Sequence, residues 1–217
     1  MPLRAAAPEA AHRILDAADR LIARFGYRKM TIDDLAREAG IGKGTVYLSF
    51  DSKETIALAC IDRMVERLIA KLREIAVGPA DPAGRVRAML VERVMHRFDY
   101  ARPHSDSLDA LLASIRPRLL ERRREYFQAE ADVFAEVLAE GRARGAFAVR
   151  DPRVAARALI EATNSLLPYS LSVHELGRRE EIERRAEHIA DLLLKGTVAR
   201  GTPDARRPRG ARRGTRS

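Results

Sequence analysis

At the start of the chain, hydrophobic residues recur at the spacing of an amphipathic helix. The stripe consists of Ile14, Leu15, Ala18, Leu21, Ile22 and Phe25. Gly26 follows, and glycine readily adopts the left-handed conformation that ends a helix. The pattern therefore predicts a first helix that closes at Gly26.

A second, shorter stripe follows a residue suited to begin a helix. The apolar positions are Ile32, Leu35, Ala36 and Ala39. Thr31 has the side-chain oxygen of an N-cap, and Asp34 lies three residues later, where a carboxylate favours the positive helix end. Gly40 provides the left-handed conformation of a helix end. A short helix from Ile32 to Ala39 is predicted.

A third helix is predicted directly after the turn at Gly40. Gly42 is suited to its N-cap, and Val46 and Phe50, four residues apart, form one buried edge. Two short helices joined by a tight turn have the outline of a helix-turn-helix. The predicted free face of this third helix carries Lys43, Thr45, Tyr47, Leu48 and Ser49. Gly44 reduces the bulk near the start of the helix.

Helical patterns continue to residue 195. Ser52 is expected to cap a long helix that ends at the proline- and glycine-rich turn over 78–84. A helix to about Tyr100 follows, then a break at RPHSDS, a short helix LDALLASI, and another helix that Pro117 opens and Gly145 ends. The last two helices are predicted over 151–173, behind an Asp151 cap and a first-turn Pro152, and over 178–195.

These elements predict an all-α fold without strands. We expect an N-terminal three-helix domain with a helix-turn-helix at 1–53, followed by a larger helical domain at 54–196. The segment 197–217 contains seven arginines and one aspartate among Pro and Gly. Such a composition is typical of a disordered basic tail, with phosphate attraction as an additional role.

Composition narrows the class of protein. The chain has 217 residues, is 46% hydrophobic and carries a formal net charge of +9. Residues 1–53 hold nine basic and seven acidic side chains, so DNA binding depends on where charges point and not on their sum. The chain has one cysteine, Cys60, so an intrachain disulfide is excluded. We expect Cys60 to be buried and inert. No membrane segment, signal peptide, metal site or cofactor is predicted, and we expect a cytoplasmic protein.

The runs TIDDLAREAG and GKGTVYLSFDSK resemble the TetR family of one-component transcriptional regulators. The resemblance covers about the first 50 residues closely. It implies DNA-binding roles for Thr31, Lys43, Gly44, Thr45, Tyr47, Leu48, Ser49 and Lys53. Tyr47, Thr31 and Lys53 would contact phosphates, and Lys43 would contact a guanine edge or a phosphate. The alternatives are that Thr31 is only a cap, that Tyr47 packs on the first helix, and that Lys53 is solvated.

The resemblance also implies that 1–53 is a DNA-binding domain and that 54–196 is a ligand-binding and dimerisation domain. We expect a repressor that binds a palindromic double-stranded DNA operator as a homodimer through about 151–195 and that responds to a small-molecule effector. The alternative for the last two helices is that they only cover the protein's own core. The candidate pocket residues are Met89, His96, Phe98, Tyr100, Asn164 and Tyr169. Core packing is the competing interpretation for each, and Pro168 either kinks or ends its helix.

Other functions have weaker support in the sequence. Activation of transcription is compatible with the same fold. A di-iron helical enzyme needs paired Glu-x-x-His motifs, and the chain has one, Glu9 with His12. No P-loop, nucleophile elbow or zinc-protease motif is present, so no enzymatic activity is predicted. A helical adaptor that retains an unused motif is the remaining alternative.

Overall fold

The computed structural model describes residues 8–168 and 177–197. Within these ranges the protein is helical and no strand occurs. The helices are α1 Pro8–Phe25, α2 Ile32–Ala39, α3 Lys43–Ser49, α4 Lys53–Ala76, α5 Pro82–Ala101, α6 Leu108–Ala143, α7 Pro152–Ala162 and α8 Arg179–Thr197. Short 3-10 turns occupy Arg102–Ser107 and Asn164–Leu166. The predicted all-α class is confirmed, and the tail after Thr197 lies outside the described residues.

The helix ends around the predicted helix-turn-helix follow the sequence signals. The backbone N–H of Asp34 donates to Thr31 Oγ1 at 3.1 Å, so Thr31 caps α2. Gly40 ends α2 with φ 63°, a left-handed conformation in which any Cβ is strained. Gly42 precedes α3 as its N-cap, and Ser52 Oγ accepts from the Thr55 N–H at the start of α4. Each signal acts over at most a few residues, which is why the sequence reveals it.

The core beneath α2 and α3 is not confined to the first 53 residues. Buried Val46 and Phe50 of α3 pack in one cluster with Ile14 of α1 and with residues of α4 as far as Cys60. Leu111 and Ile115 of α6 complete this cluster. The predicted boundary after residue 53 thus coincides with the start of α4, whereas the shared packing continues two turns further and includes the larger domain's longest helix.

The predicted break before Pro117 is wrong, because α6 runs without interruption from Leu108 to Ala143 with Pro117 inside it. A proline within a helix removes one backbone hydrogen bond and costs about 3 kcal/mol. Packing on both sides of Pro117 holds the helix together. Ile115 lies in the N-terminal core, and Phe134 lies in a second core with α4, α5 and α7.

The helix predicted over 151–173 is also wrong in its extent, because α7 ends at Ala162. Asp151 caps it as predicted, accepting from the Arg153 N–H at 2.8 Å. Beyond it, the buried Thr163 hydroxyl donates to the carbonyls of Leu159 and Ile160, and the chain turns. The part of the prediction that covers 169–173 lies outside the described residues.

A buried ionic cluster fixes α5 against α6. Glu130 of α6 accepts from Arg93 Nε at 2.6 Å and also forms an ion pair with Arg97 Nη2. The side chains of Arg93 and Glu130 are both 0% exposed. Arg93 also donates to Thr163 Oγ1 and Asn164 Oδ1, each at 2.7 Å. Removing one member of such a cluster strands a buried charge, which typically costs about 3–5 kcal/mol.

Candidate nucleic-acid interface and ligand cavity

The solvent-facing side of α3 presents apolar and aromatic groups instead of burying them. Tyr47 is 51% exposed and Leu48 is 62% exposed. Lys43 and Gly44 are exposed at the start of the helix, and Thr45 is half-buried. Val46 on the opposite side is fully buried and anchors α3 to α1. The helix therefore offers an aromatic hydroxyl, a methyl-bearing side chain and a cation on one accessible surface.

Ser49 does not lie on this surface, so its predicted place on the free face of α3 is wrong. Its side chain is 7% exposed, and its hydroxyl donates to the Thr45 carbonyl at 3.0 Å. Hydroxyls in helices often donate to the carbonyl four residues earlier, and this turns them away from other partners. Ser49 packs with the last turn of α3.

Two cations near α3 already have partners. Lys43 Nζ lies 2.9 Å from Asp33 Oδ1 on α2, and the hydrogen bond with Asp33 raises the pKa of Lys43. This pair is exposed, and exposed ion pairs are weak because water and salt screen them, so another anion can displace Asp33 easily. Lys53 differs, because its Nζ donates to the carbonyls of Tyr27 at 3.0 Å and Met30 at 3.2 Å.

Lys53 consequently holds the turn between α1 and α2. Its ammonium also donates weakly to the Arg28 carbonyl at 3.4 Å and lies 4.4 Å from the centre of the Tyr27 ring. An ammonium has three donors, so a phosphate would have to replace one of these carbonyls. No local pattern indicates this role, because the partner carbonyls lie more than 20 residues away in sequence.

The structure adds two cations that sequence reasoning missed. Arg28 and Lys29 are both exposed in the turn that leads into α2, next to Thr31. The hydroxyl of Thr31 donates to Asp34 Oδ2 at 2.6 Å, and this bond lowers the pKa of the Asp34 carboxyl. Phosphates commonly bind where cations flank a helix N-terminus. The pair Arg-Lys before a capped helix was the available signal.

A cavity lies between α4, α5 and α6, beside the N-terminal core. Its space measures ≈ 690 Å³, counting the part open to solvent. Most of its walls are apolar, and the lining residues are Ile61, Met64, Val65, Arg97, Tyr100, Ala101, His104, Leu108, Leu111, Leu112, Leu119, Arg123, Tyr126, Phe127 and Pro168. Leu111 belongs both to this wall and to the N-terminal core. The cavity therefore touches the packing that supports α3.

Of the five predicted pocket residues that the structure describes, only Tyr100 lies in this wall. Met89 and Phe98 are buried in core clusters, which was the competing interpretation. His96 lies half-buried with Nδ1 3.3 Å from Glu92 Oε1, and Asn164 accepts a hydrogen bond from Arg93. Tyr169 lies outside the described residues. Pro168 does line the cavity, where the chain leaves the turn after α7.

Other kinds of site were sought in the same part of the chain. Among the described residues, no group of three or more His, Cys, Asp or Glu side chains is arranged to hold a metal ion. None of the described helices is both long and apolar enough to cross a membrane. Cys60 is buried as predicted, and burial raises the pKa of its thiol well above the ordinary value.

Two family models match the chain in sequence. Residues 14–60 match the model of bacterial regulatory proteins of the tetR family, which spans α1 to the first turns of α4. Residues 79–167 match the model of the tetracyclin repressor-like C-terminal domain, which spans α5 to the turn after α7. Both halves of the architecture are thus matched independently.

Individual regulators also resemble this chain in sequence or in fold. The chain is 32% identical over 105 residues to the uncharacterized HTH-type transcriptional regulator YerO of Bacillus subtilis, a match that spans 48% of this chain and 35% of YerO. A transcriptional regulator from Cytophaga hutchinsonii has the same fold with a TM-score of 0.73 at 19% identity, covering 86% of this chain and 97% of that one. The SmeT–triclosan complex aligns with a TM-score of 0.61 at 20% identity, covering 93% and 99%. The chain therefore belongs to the TetR family of bacterial regulatory proteins.

Proposed function

We propose that the protein is a cytoplasmic transcriptional repressor that binds a palindromic DNA operator as a homodimer and releases it when a small molecule occupies the cavity. The observation that carries this proposal is the double role of α3. One side presents Tyr47, Leu48 and Lys43 to solvent, and the other side packs into a core that reaches the cavity wall through Leu111. In this proposal, one core connects the DNA-binding surface of α3 to the ligand cavity.

The roles of the surface residues follow from their chemistry. Tyr47 can donate its hydroxyl to a phosphate, and Leu48 can contact a thymine methyl in the major groove. Lys43 is suited to a guanine edge or a phosphate after leaving Asp33. Arg28 and Lys29, together with the N-terminus of α2, are suited to phosphates of the flanking backbone. Phosphate contacts set the register, and base contacts set the sequence.

A dimer supports specific binding, because two reading helices related by a two-fold axis recognise a palindrome over successive turns of DNA. The proposed interface is the segment 151–195. α7 packs on α6 and α8 packs on α5, which leaves one side of each helix exposed. Val154 is 66% exposed on α7 and Leu192 is 54% exposed on α8. Packing against a second copy would remove both side chains from water.

An effector site is supported by the cavity and by one relative. SmeT, a protein of this fold, has been solved in complex with the small molecule triclosan. For the present chain, repression would be relieved if a ligand bound more tightly to the conformation whose α3 spacing does not fit the operator. A ligand that binds both conformations equally would leave DNA binding unchanged.

The test is selection of bound sequences from a random duplex pool by the purified full-length protein at a fixed salt concentration. We expect a palindromic consensus. Binding without a consensus, abolished by moderate salt, would attribute the attraction to the basic tail and contradict the proposal.

Variants assign the surface once a consensus duplex is available. We expect the double variant Lys43→Ala, Tyr47→Ala to lose operator affinity by at least about tenfold, equivalent to about 1.4 kcal/mol. Lys71→Ala is the matched control, because Lys71 also forms an exposed ion pair, with Glu74, but lies near the C-terminal end of α4. Unchanged affinity in the double variant would mean that DNA binds elsewhere on the protein.

A further inference from the structure

The polar side chains in the cavity wall direct their polar ends away from the cavity. The Tyr100 hydroxyl donates to Asp19 Oδ1 of α1 at 2.9 Å. The Tyr126 hydroxyl donates to Asp62 Oδ1, and Asp62 also pairs with Arg122. Arg97, a third wall residue, pairs with buried Glu130. All three wall residues thus turn their hydrogen-bonding groups toward carboxylates that do not line the cavity.

The remaining polar wall residues are engaged as well. The His104 ring packs edge-on against the Tyr100 ring, with centroids 5.4 Å apart. Burial lowers the pKa of His104, so the ring is neutral at neutral pH. Arg123 lies over the Phe127 ring at 5.4 Å, and both His104 and Arg123 have further interactions within the protein. Both residues therefore interact within the protein.

The other described wall residues are aliphatic or aromatic, and no carboxylate is among the described lining residues. A ligand with a charged group would lose its hydration on entry, and it would have to displace the carboxylates that Tyr100, Tyr126 and Arg97 already contact. Burying a polar group without a hydrogen bond typically costs about 1–3 kcal/mol, and an unpaired charge costs more. A neutral apolar ligand incurs no such penalty, and it gains from leaving water.

We infer that the cavity selects a neutral, apolar small molecule held by packing against α4, α5 and α6 without a charged anchor. This inference rests on the proposed function, since it names the class of effector for the same cavity. The side chains of Phe127, Tyr126, Met64 and Leu112 line the cavity and supply contact surface for aromatic or alicyclic carbon.

The test compares three naphthalene derivatives of similar size and different charge. The neutral probe is 1-methylnaphthalene, the anion is 1-naphthaleneacetate, and the cation is 1-naphthylmethylammonium. Isothermal titration calorimetry on the full-length protein without DNA measures each affinity. We expect 1-methylnaphthalene to bind at least about tenfold more tightly than either ion. Equal or tighter binding of an ion, or saturation by none of the three, would overturn the inference.

Variants locate the binding and test the orientation of the polar groups. Ala101→Leu and Leu112→Phe each add volume to the wall, and we expect at least one folded variant to lose the neutral probe's binding. Tyr126→Phe is the matched control, because it removes only the hydroxyl that faces Asp62, and we expect the probe's affinity to stay unchanged. A clear loss with Tyr126→Phe would show that the hydroxyl serves the ligand and would contradict the inference.

The same probe separates this inference from the proposed function. Fluorescence anisotropy of a labelled operator duplex measures whether bound 1-methylnaphthalene releases DNA. Binding of the probe without release would leave the ligand class intact and contradict the effector role. Release of DNA by 1-naphthaleneacetate but not by 1-methylnaphthalene would support an effector site and refute a neutral ligand.

Discussion

Gly44→Ala separates protein stability from DNA binding at the start of α3. Gly44 is exposed within the helix, and an added Cβ meets no atom within 4 Å. Alanine is favoured over glycine in helices by about 0.5–1 kcal/mol, so the free protein should become more stable by up to that amount. For a chain of this size, 1 kcal/mol raises the melting temperature by about 2–4 °C.

The same methyl group should weaken DNA binding. If α3 enters the major groove with its N-terminal residues closest to the DNA, the open space beside Gly44 is where the duplex approaches. A methyl there excludes that approach, and we expect the operator affinity to fall by at least about tenfold. Differential scanning calorimetry gives the stability, and anisotropy of a labelled consensus duplex gives the affinity.

Gly196→Ala is the matched control for this prediction. Gly196 lies in the last turn of α8, is exposed, and also has no atom within 4 Å of an added Cβ. This variant should gain stability without losing operator affinity, and sedimentation equilibrium checks that its oligomeric state is unchanged. A stabilised Gly44→Ala protein with unaltered affinity would refute the placement of DNA against α3, and a destabilised one would refute the helix reasoning.

Three further predictions concern the cavity and α6. Tyr100→Phe should leave 1-methylnaphthalene binding unchanged but reduce the ligand-induced loss of operator affinity by about two- to tenfold. The reason is that the lost hydrogen bond ties the cavity wall to Asp19 of α1. An anisotropy titration in which the variant shows the same loss as the wild type would exclude this bond from the coupling. Pro117→Ala should raise the free energy of unfolding by about 1–3 kcal/mol, since Pro117 is exposed within α6 and alanine restores a backbone donor; a lower melting temperature would show that the proline's geometry is needed. Burial lowers the pKa of His104 below its ordinary value of 6.5, so its contribution to stability is complete above 6.5 and is lost as the pH falls toward the lowered value. His104→Phe should therefore flatten the fall in melting temperature below pH 6.5, and parallel curves for both proteins would contradict this assignment.

Local signals made the N-terminal architecture predictable. Thr31 and Ser52 cap helices through bonds to residues three positions later, and Gly40 ends α2 through its own conformation. Such interactions depend on neighbours in sequence, so they can be read without knowing the fold. The apolar edge of α3 at Val46 and Phe50 was predictable for the same reason, because helix geometry fixes which positions share a face.

Contacts between distant segments overruled other local signals. Pro117 predicts a helix start, but packing at Ile115 and Phe134 holds α6 continuous through it. Lys53 was expected to be solvated or bound to a phosphate, but it meets three carbonyls of the turn before α2. Periodicity could not reveal the continuity of α6 or the contacts of Lys53, because both depend on residues that are distant in sequence and adjacent in space.

The sequence by itself determined the all-α class, the capped helix pair and the resemblance that led to the TetR family, because these depend on residue type and spacing over a few turns. Only the tertiary structure decided that Ser49 is buried, that Tyr100 lines the cavity while Met89 and Phe98 lie in the core, and that the hydroxyls of Tyr100 and Tyr126 turn toward Asp19 and Asp62. The direction of a side chain at a helix crossing depends on the facing helix, and a single helix's pattern carries no record of that partner.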